Sequence, residues 1–206
     1  MKNLNGGAAA NVAMIGATLG AKTSLVSAVG EDFIDSRYQK AMIEAGVNID
    51  SMIYDMESNT PTAFVMTNKH GDQISYFHWG AGKAFHDSEV PRATIKDAKA
   101  VHLATGDPHY NCKAAIVAKE EERLVSFDPG QDLGMYSPKK LVEVIKNCNI
   151  LFGNHHEIKR ILDSLKVDIE GLMALGPEIV LKTCGKEGSY IYSLDEETIF
   201  VDAIYR

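Results

Sequence analysis

Apolar positions along this chain recur with two different periods. Ile34, Tyr38, Ala41, Met42 and Ala45 lie at helical spacing behind Asp35 and stop before Gly46, which predicts an amphipathic helix. Leu141, Val142 and Ile145 within residues 138–147 predict another, and Ile158, Ile161, Leu162 and Leu165 within residues 155–165 a third. Residues 8–19 are Ala-rich and close at Gly20, as in a helix followed by a left-handed residue. Residues 111–119 form a further candidate helix. Short apolar runs at residues 23–29, 101–104, 125–127, 150–152 and 179–181 read as strands, the later ones of the buried type. Residues 61–67 and 73–79, rich in Phe, Val, Tyr and Trp, read as two strands joined by Asn68, Lys69, His70, Gly71 and Asp72, which makes a hairpin.

Strand and helix alternate again after Gly82, so the predicted class is α/β: a mostly parallel sheet with helices on both faces and ligands at the carboxyl ends of its strands. The hairpin interrupts that order and projects from it. With no repeats or linker-like stretches, residues 1–206 form one domain apart from this small hairpin subdomain.

Composition narrows the function classes. The 206 residues are 45% hydrophobic and 24% charged, an ordinary globular balance. A chain of this size buries roughly 70% of the surface its unfolded form exposes and needs no disulfide staples. No window is apolar for the 18 or so residues that a membrane span requires, and the first residues carry no secretory signal, which points to the cytoplasm and no membrane partner. The net charge of -7, with Lys and Arg scattered, argues against nucleic acid and for a small molecule. Cys112, Cys148 and Cys184 are odd in number and lie in or beside apolar runs, so they read as reduced thiols, mostly core.

Several short motifs could carry chemistry. Gly6 and Gly7 open a helix whose first turn is Ala8, Ala9 and Ala10, so backbone can approach a ligand closely and Asn11 can offer both donor and acceptor to hydroxyls. A glycine turn into a tightly packed helix explains the same residues. Asn154, His155, His156 and Glu157 follow a strand with the spacing of a capping box, which accounts for Asn154 and Glu157 without catalysis. At a strand's carboxyl end the same pair could also reach phosphates through metal-bound water. The two adjacent histidines point to different helix faces and take no ligand role. Thr183, Cys184, Gly185, Lys186, Glu187 and Gly188 link two strands, and form either a hairpin turn or a nucleotide cradle of Thr hydroxyl and glycine amides. A Walker A loop is excluded because a strand follows where a helix is required. Asp107, Asp128 and Asp132 follow strands too, although helix N-caps also favour Asp.

Taken in order, these residues resemble the ribokinase, or PfkB, family of sugar and nucleoside kinases. The run GGAAANVAMIGATLGAKTSLVSAVGEDF is similar to the family's first signature. The hairpin ending in WGAG, the strand ending in FDPGQD, and the NHHE and TCGKEG segments follow in the family's order, with Ser36 where many members have glycine. HLATGDP, VSFDPGQDL and HWGAGK are closest in wording to archaeal nucleoside kinases.

The resemblance implies a ribokinase-like sheet with a small β lid at about residues 59–82 and ATP-dependent phosphorylation of a nucleoside or sugar hydroxyl. By position, Gly7, Asn11 and, more loosely, Asp107 would bind substrate. Asn154, Thr183, Gly185, Lys186 and Gly188 would bind nucleotide, and Glu157 would act on magnesium through water. ATP and Mg2+ are the implied cofactors, a monovalent cation is a further candidate, and a homodimer through the lid is the implied assembly.

Family members also begin with a strand carrying a substrate-binding Asp and end in a GAGD motif that supplies the anion hole and catalytic base. No GAGD string occurs in these residues. The chain is therefore expected to correspond to the front two thirds of such a kinase, incomplete at both ends, with the base downstream of Arg206 and no turnover by itself. The alternative is a catalytically inactive nucleoside- or sugar-binding or dimer-forming fragment. A nicotinamide-dependent oxidoreductase would fit the alternation of elements but needs a GxGxxG at the first strand, which is missing.

Overall fold

The computed structural model describes residues 4–194 and 196–204, so Met1 and Arg206, the two ends weighed above, lie outside the described residues. The chain folds as two compact units, Met1–Glu89 and Val90–Arg206.

The first unit runs α1 (Ala8–Thr18), β1 (Thr23–Ser24), β2 (Ala28–Gly30), α2 (Arg37–Glu44), β3 (Val47–Asn48), β4 (Ile53–Asp55), β5 (Thr62–Thr67) and β6 (Gln73–His78). Its core gathers Ala10 and Ala13 of α1 with Leu25, Val29, Phe33, Met42, Val47 and Met52. The single strand expected over residues 23–29 is two short ones. β1 pairs in parallel with β3, and β2 pairs in parallel with β4. Between them the chain changes partner, since the Leu25 N–H donates to the Asn48 carbonyl at 2.9 Å while the Ser27 carbonyl accepts from the Ile53 N–H at 2.8 Å. The second helix is capped by Ser36, whose hydroxyl accepts from the Gln39 N–H, and not by Asp35, which adopts a left-handed φ of 57°. The hairpin forms as expected, with Phe64 opposite Tyr76 and Met66 opposite Ile74, and every residue of both strands is exposed.

The second unit runs α3 (Arg92–Asp97), β7 (Ala100–Leu103), α4 (Pro108–Glu120), β8 (Leu124–Phe127), α5 (Pro138–Lys146), β9 (Ile150–Asn154), α6 (His155–Leu165), α7 (Ile169–Met173), β10 (Ile179–Thr183), β11 (Gly188–Ser193) and β12 (Ile199–Asp202). The strands form one six-stranded sheet in the order β12-β11-β10-β9-β8-β7. β7 to β10 are parallel, and β11 and β12 continue antiparallel. Val125, Phe127, Leu151 and Val180 are wholly buried, as are Val144 and Ile145 of α5 and Ile161 of α6. Burying each such aliphatic or aromatic side chain contributes about 1.5–3 kcal/mol, so this layer carries much of the unit's stability. At the amino ends of the strands Asn149 acts as a clip, its Oδ1 accepting from the Val125 N–H and its carbonyl from the Glu178 N–H.

α4 starts at Pro108, three residues before the sequence pattern suggests, because proline suits the first helical position and the Asp107 carboxylate accepts from the Tyr110 N–H. β3, β4, α3, α7 and β12 span two to six residues each and are too short to show a period. Burial pushes the thiols of Cys112 and Cys148 up to about 12, so both stay protonated core groups near neutral pH. Among the described residues no helix is long and apolar enough to cross a membrane.

Candidate functional site

Parallel strands end together at one edge of the second sheet, and the candidate nucleotide residues sit there. β9 and β10 pair in register to their last residues, so Thr183 stands directly opposite Asn154. Asn154 is at once the last residue of β9 and the N-cap of α6. Its Oδ1 accepts from the N–H groups of His156 and Glu157, each at 2.9 Å, and Glu157 Oε2 accepts from the Asn154 N–H at 2.7 Å. The capping box read from the sequence is therefore present in full. It holds both side chains in one geometry beside the end of β10.

Beyond Thr183 the chain turns through Cys184–Gly188, closed by the Cys184 N–H on the Gly188 carbonyl at 2.8 Å, and re-enters the sheet as β11. Residues Gly185–Glu187 make one 3-10 turn, so the linking segment is a wound corner. Its two glycines differ. Gly185 has φ 56° with no atom within 4 Å of the position a Cβ would occupy, leaving open space over the loop. Gly188 has φ 127°, and a Cβ there would lie 2.1 Å from the Val201 carbonyl oxygen, so its glycine is demanded by the close approach of β12. Lys186 lies exposed at the crest of the turn.

Asp107, Asp128 and Asp132 follow other strands of the same sheet. Asp107 follows β7, two strands away from β9 in the sheet order, and its carboxylate caps α4. Asp128 and Asp132 follow β8, and burial raises the carboxyl of Asp132, an effect opposed by the Gly106 backbone N–H. Gly7 and Asn11 belong to the first unit. Gly7 is the N-cap of α1 with φ 108°, its carbonyl accepts from the Asn11 N–H, and the Asn11 side chain is exposed. The Tyr38 hydroxyl donates to the Gly6 carbonyl and so ties the glycine pair to α2.

One residue escaped the sequence reading. Lys182 pairs across the ladder with Tyr190, and its Nζ lies 4.6 Å from that ring and 5.3 Å from the ring of Tyr192. Only the register of β11 on β10 reveals this, although the hairpin turn joining the two strands was one of the readings of residues 183–188.

A nucleotide with magnesium suits these groups chemically. Among the described residues no cluster of three or more His, Cys, Asp or Glu is placed to hold a metal ion. Magnesium does not need one, since it keeps several waters and takes one or two carboxylates with phosphate oxygens. Glu157 offers one carboxylate, Asn154 and Thr183 offer amide and hydroxyl groups beside it, and Gly185 leaves backbone open to a phosphate.

Known proteins are similar over the whole chain. The nucleoside kinase of Methanothermobacter thermautotrophicus is 55% identical over 206 residues, which is 100% of this chain and 66% of that protein. The crystal structure of Methanocaldococcus jannaschii nucleoside kinase, described as an archaeal member of the ribokinase family, superposes with a TM-score of 0.91 at 39% identity and covers 97% of this chain and 64% of that one. The nucleoside kinase of Burkholderia thailandensis in complex with inosine shares the fold, with a TM-score of 0.85 at 20% identity over 95% of this chain and 62% of that one. The chain thus spans slightly less than two thirds of each of these three relatives. The fold is ribokinase-like, and the pfkB family of carbohydrate kinases matches residues 1–206 from end to end, so the chain belongs to that family.

Proposed function

We propose that the whole protein is an ATP-dependent kinase that phosphorylates a hydroxyl of a nucleoside or, as the second choice, a free sugar. The observation that carries this reading is the pairing of Asn154 and Thr183 at the carboxyl ends of adjacent parallel strands, with Glu157 locked beside them and the open Gly185 turn following. The 55% identity to a nucleoside kinase supports the choice of nucleoside over sugar.

In this reading Thr183, Gly185, Lys186 and Gly188 bind the nucleotide, with Lys186 countering phosphate charge. Asn154 and Glu157 hold water on the magnesium side. Gly7 and Asn11 meet the hydroxyls of the acceptor, and Asp107 is a weaker substrate contact. Magnesium supplied with ATP would neutralise charge on the transferring group, the main demand of phosphoryl transfer.

The reading also places the protein in the cytoplasm, in keeping with free Cys112, Cys148 and Cys184. It assembles as a dimer through the hairpin. Support comes from Phe64, Met66, Ile74 and Tyr76, which share one face of β5 and β6 and are 51%, 56%, 62% and 61% exposed. Two strands with a bare apolar face are marginal until something covers them.

The test is product formation. Supplied with a segment carrying the GAGD motif, in one chain or as a second polypeptide, the protein should convert inosine or adenosine to a monophosphate in the presence of Mg·ATP. Failure with every nucleoside and sugar tried, in protein shown to bind Mg·ATP, would contradict the reading.

A further inference from the structure

Two glycines let backbone come close to a ligand, but they also leave it loose, so something must hold them if Gly7 is to meet an acceptor in one geometry. α1 itself is anchored by Ala10 and Ala13 in the core of the first unit. The turn in front of it has little of its own to hold it. Among the described residues no side chain caps α1, a Cβ on Gly6 would have no atom within 4 Å, and one on Gly7 would meet the Ala10 Cβ at 3.7 Å.

The tie comes from α2, where the Tyr38 hydroxyl donates to the Gly6 carbonyl. Tyr38 stands on a fixed first turn: the Asp35 N–H donates to Gln39 Oε1 at 2.8 Å, and the Gln39 N–H donates to Ser36 Oγ at 3.0 Å. Its ring packs on the core of the unit, edge-on to the buried Phe33 with 6.1 Å between centroids. Burial raises the phenol above its ordinary 10, so the hydroxyl stays a donor near neutral pH. The core therefore holds the ring, and the hydroxyl passes that rigidity to the turn.

The consequence lies in the next peptide plane. The Gly6 carbonyl and the Gly7 N–H belong to one planar trans unit and point in opposite directions. Holding the carbonyl on Tyr38 thus aims the Gly7 N–H away from α2. Gly7 in turn sets the start of the helix, since its carbonyl accepts from the Asn11 N–H at 2.9 Å.

We propose that Tyr38 is a positioning residue for the acceptor: its hydroxyl fixes the Gly6–Gly7 peptide so that the Gly7 N–H and Asn11 meet the acceptor's hydroxyls already in place. This role rests on the reading of Gly7 and Asn11 as acceptor-binding residues. Ordering the turn before binding spares the acceptor the cost of ordering it.

The test compares the chain with its Tyr38→Phe variant, which keeps the ring and removes the hydroxyl, by amide NMR relaxation and by titration with inosine. In the unsubstituted chain Gly7 and Ala8 should be ordered, with order parameters near about 0.85, and in Tyr38→Phe they should fall below about 0.6. Ala13 and Met42 in the core should not change. Inosine should shift the amides of Gly7 to Asn11 in both proteins, with about three- to tenfold weaker affinity in the variant, the worth of one hydrogen bond. Gly7 and Ala8 equally ordered, or equally mobile, in both proteins overturns the tie. Loosening of Ala13 and Met42 overturns it too, because Tyr38 would then support the unit as a whole. Mobile glycines with unchanged inosine affinity overturn the positioning role alone. Absence of inosine shifts at Gly7 to Asn11 in the unsubstituted chain overturns the acceptor reading, and this role falls with it.

Discussion

Thr183 faces Asn154 across the parallel pair of β10 and β9, each the last residue of its strand. A hydroxyl and an amide-capped helix start are thereby brought to the same edge of the sheet, where polar side chains and the open turn after Thr183 can meet an anion.

Glu157 separates capping from chemistry. Glu157→Gln keeps an oxygen that can accept from the Asn154 N–H, so urea unfolding should shift by less than about 1 kcal/mol, while magnesium-dependent nucleotide affinity falls. Asn154→Ala removes the acceptor for His156 and Glu157 and should cost about 1 kcal/mol as well as affinity.

The two loop glycines should behave differently. Gly188→Ala meets the Val201 carbonyl and should destabilise the chain by about 1–3 kcal/mol, peeling β12 from β11. Gly185→Ala enters open space at a left-handed φ, costs about 1–2 kcal/mol and should weaken nucleotide by more than that loss of stability explains. Chemical unfolding with parallel nucleotide titration checks both.

Stability should fall on mild acidification through His102. Its Nδ1 lies 2.9 Å from the Ser126 hydroxyl, and burial holds its pKa below the ordinary 6.5, against the opposing pull of Asp128. The unfolded chain therefore takes up the proton first. Stability is level above the unfolded value and declines as pH drops towards the folded one, by at most about 1.4 kcal/mol per pH unit. Asp132, raised by burial, acts in the opposite sense as pH falls towards its ordinary 3.8. His102→Gln should flatten unfolding free energies below about pH 6.5, the histidine's ordinary value. An unchanged slope would assign it elsewhere.

The acceptor should be uncharged. Recognition of a sugar phosphate calls for Arg or Lys, and residues 6–20 contain neither. Inosine, adenosine or ribose should raise the melting temperature and fructose 6-phosphate should not; the reverse pattern would sink this assignment.

What was legible in the sequence follows from length and chemistry. α6 was readable to the residue because its cap and apolar stripe coincide: Asn154 and Glu157 at its start, Ile158 and Ile161 buried behind them. α2 was placed one residue off at its cap because Asp35 and Ser36 are both good caps, and only the backbone φ chooses. The break at Leu25–Ser27 was invisible, since a change of strand partner leaves no mark on hydrophobic pattern. The site motifs were found as strings, but the opposition of Thr183 and Asn154, the crowding at Gly188 and the stacking of Lys182 on Tyr190 depend on register, which no local pattern encodes.

The central claim, that the ends of β9 and β10 with the turn after them hold a magnesium nucleotide, is tested most directly by amide NMR of the chain during titration with Mg·ATP to millimolar concentration. The account predicts saturating shifts concentrated at Asn154, Glu157, Thr183 and Gly185 to Gly188, weaker when magnesium is withheld and reduced in Gly185→Ala. Absence of shifts at these amides in the folded chain, or shifts confined to other surfaces, would contradict it.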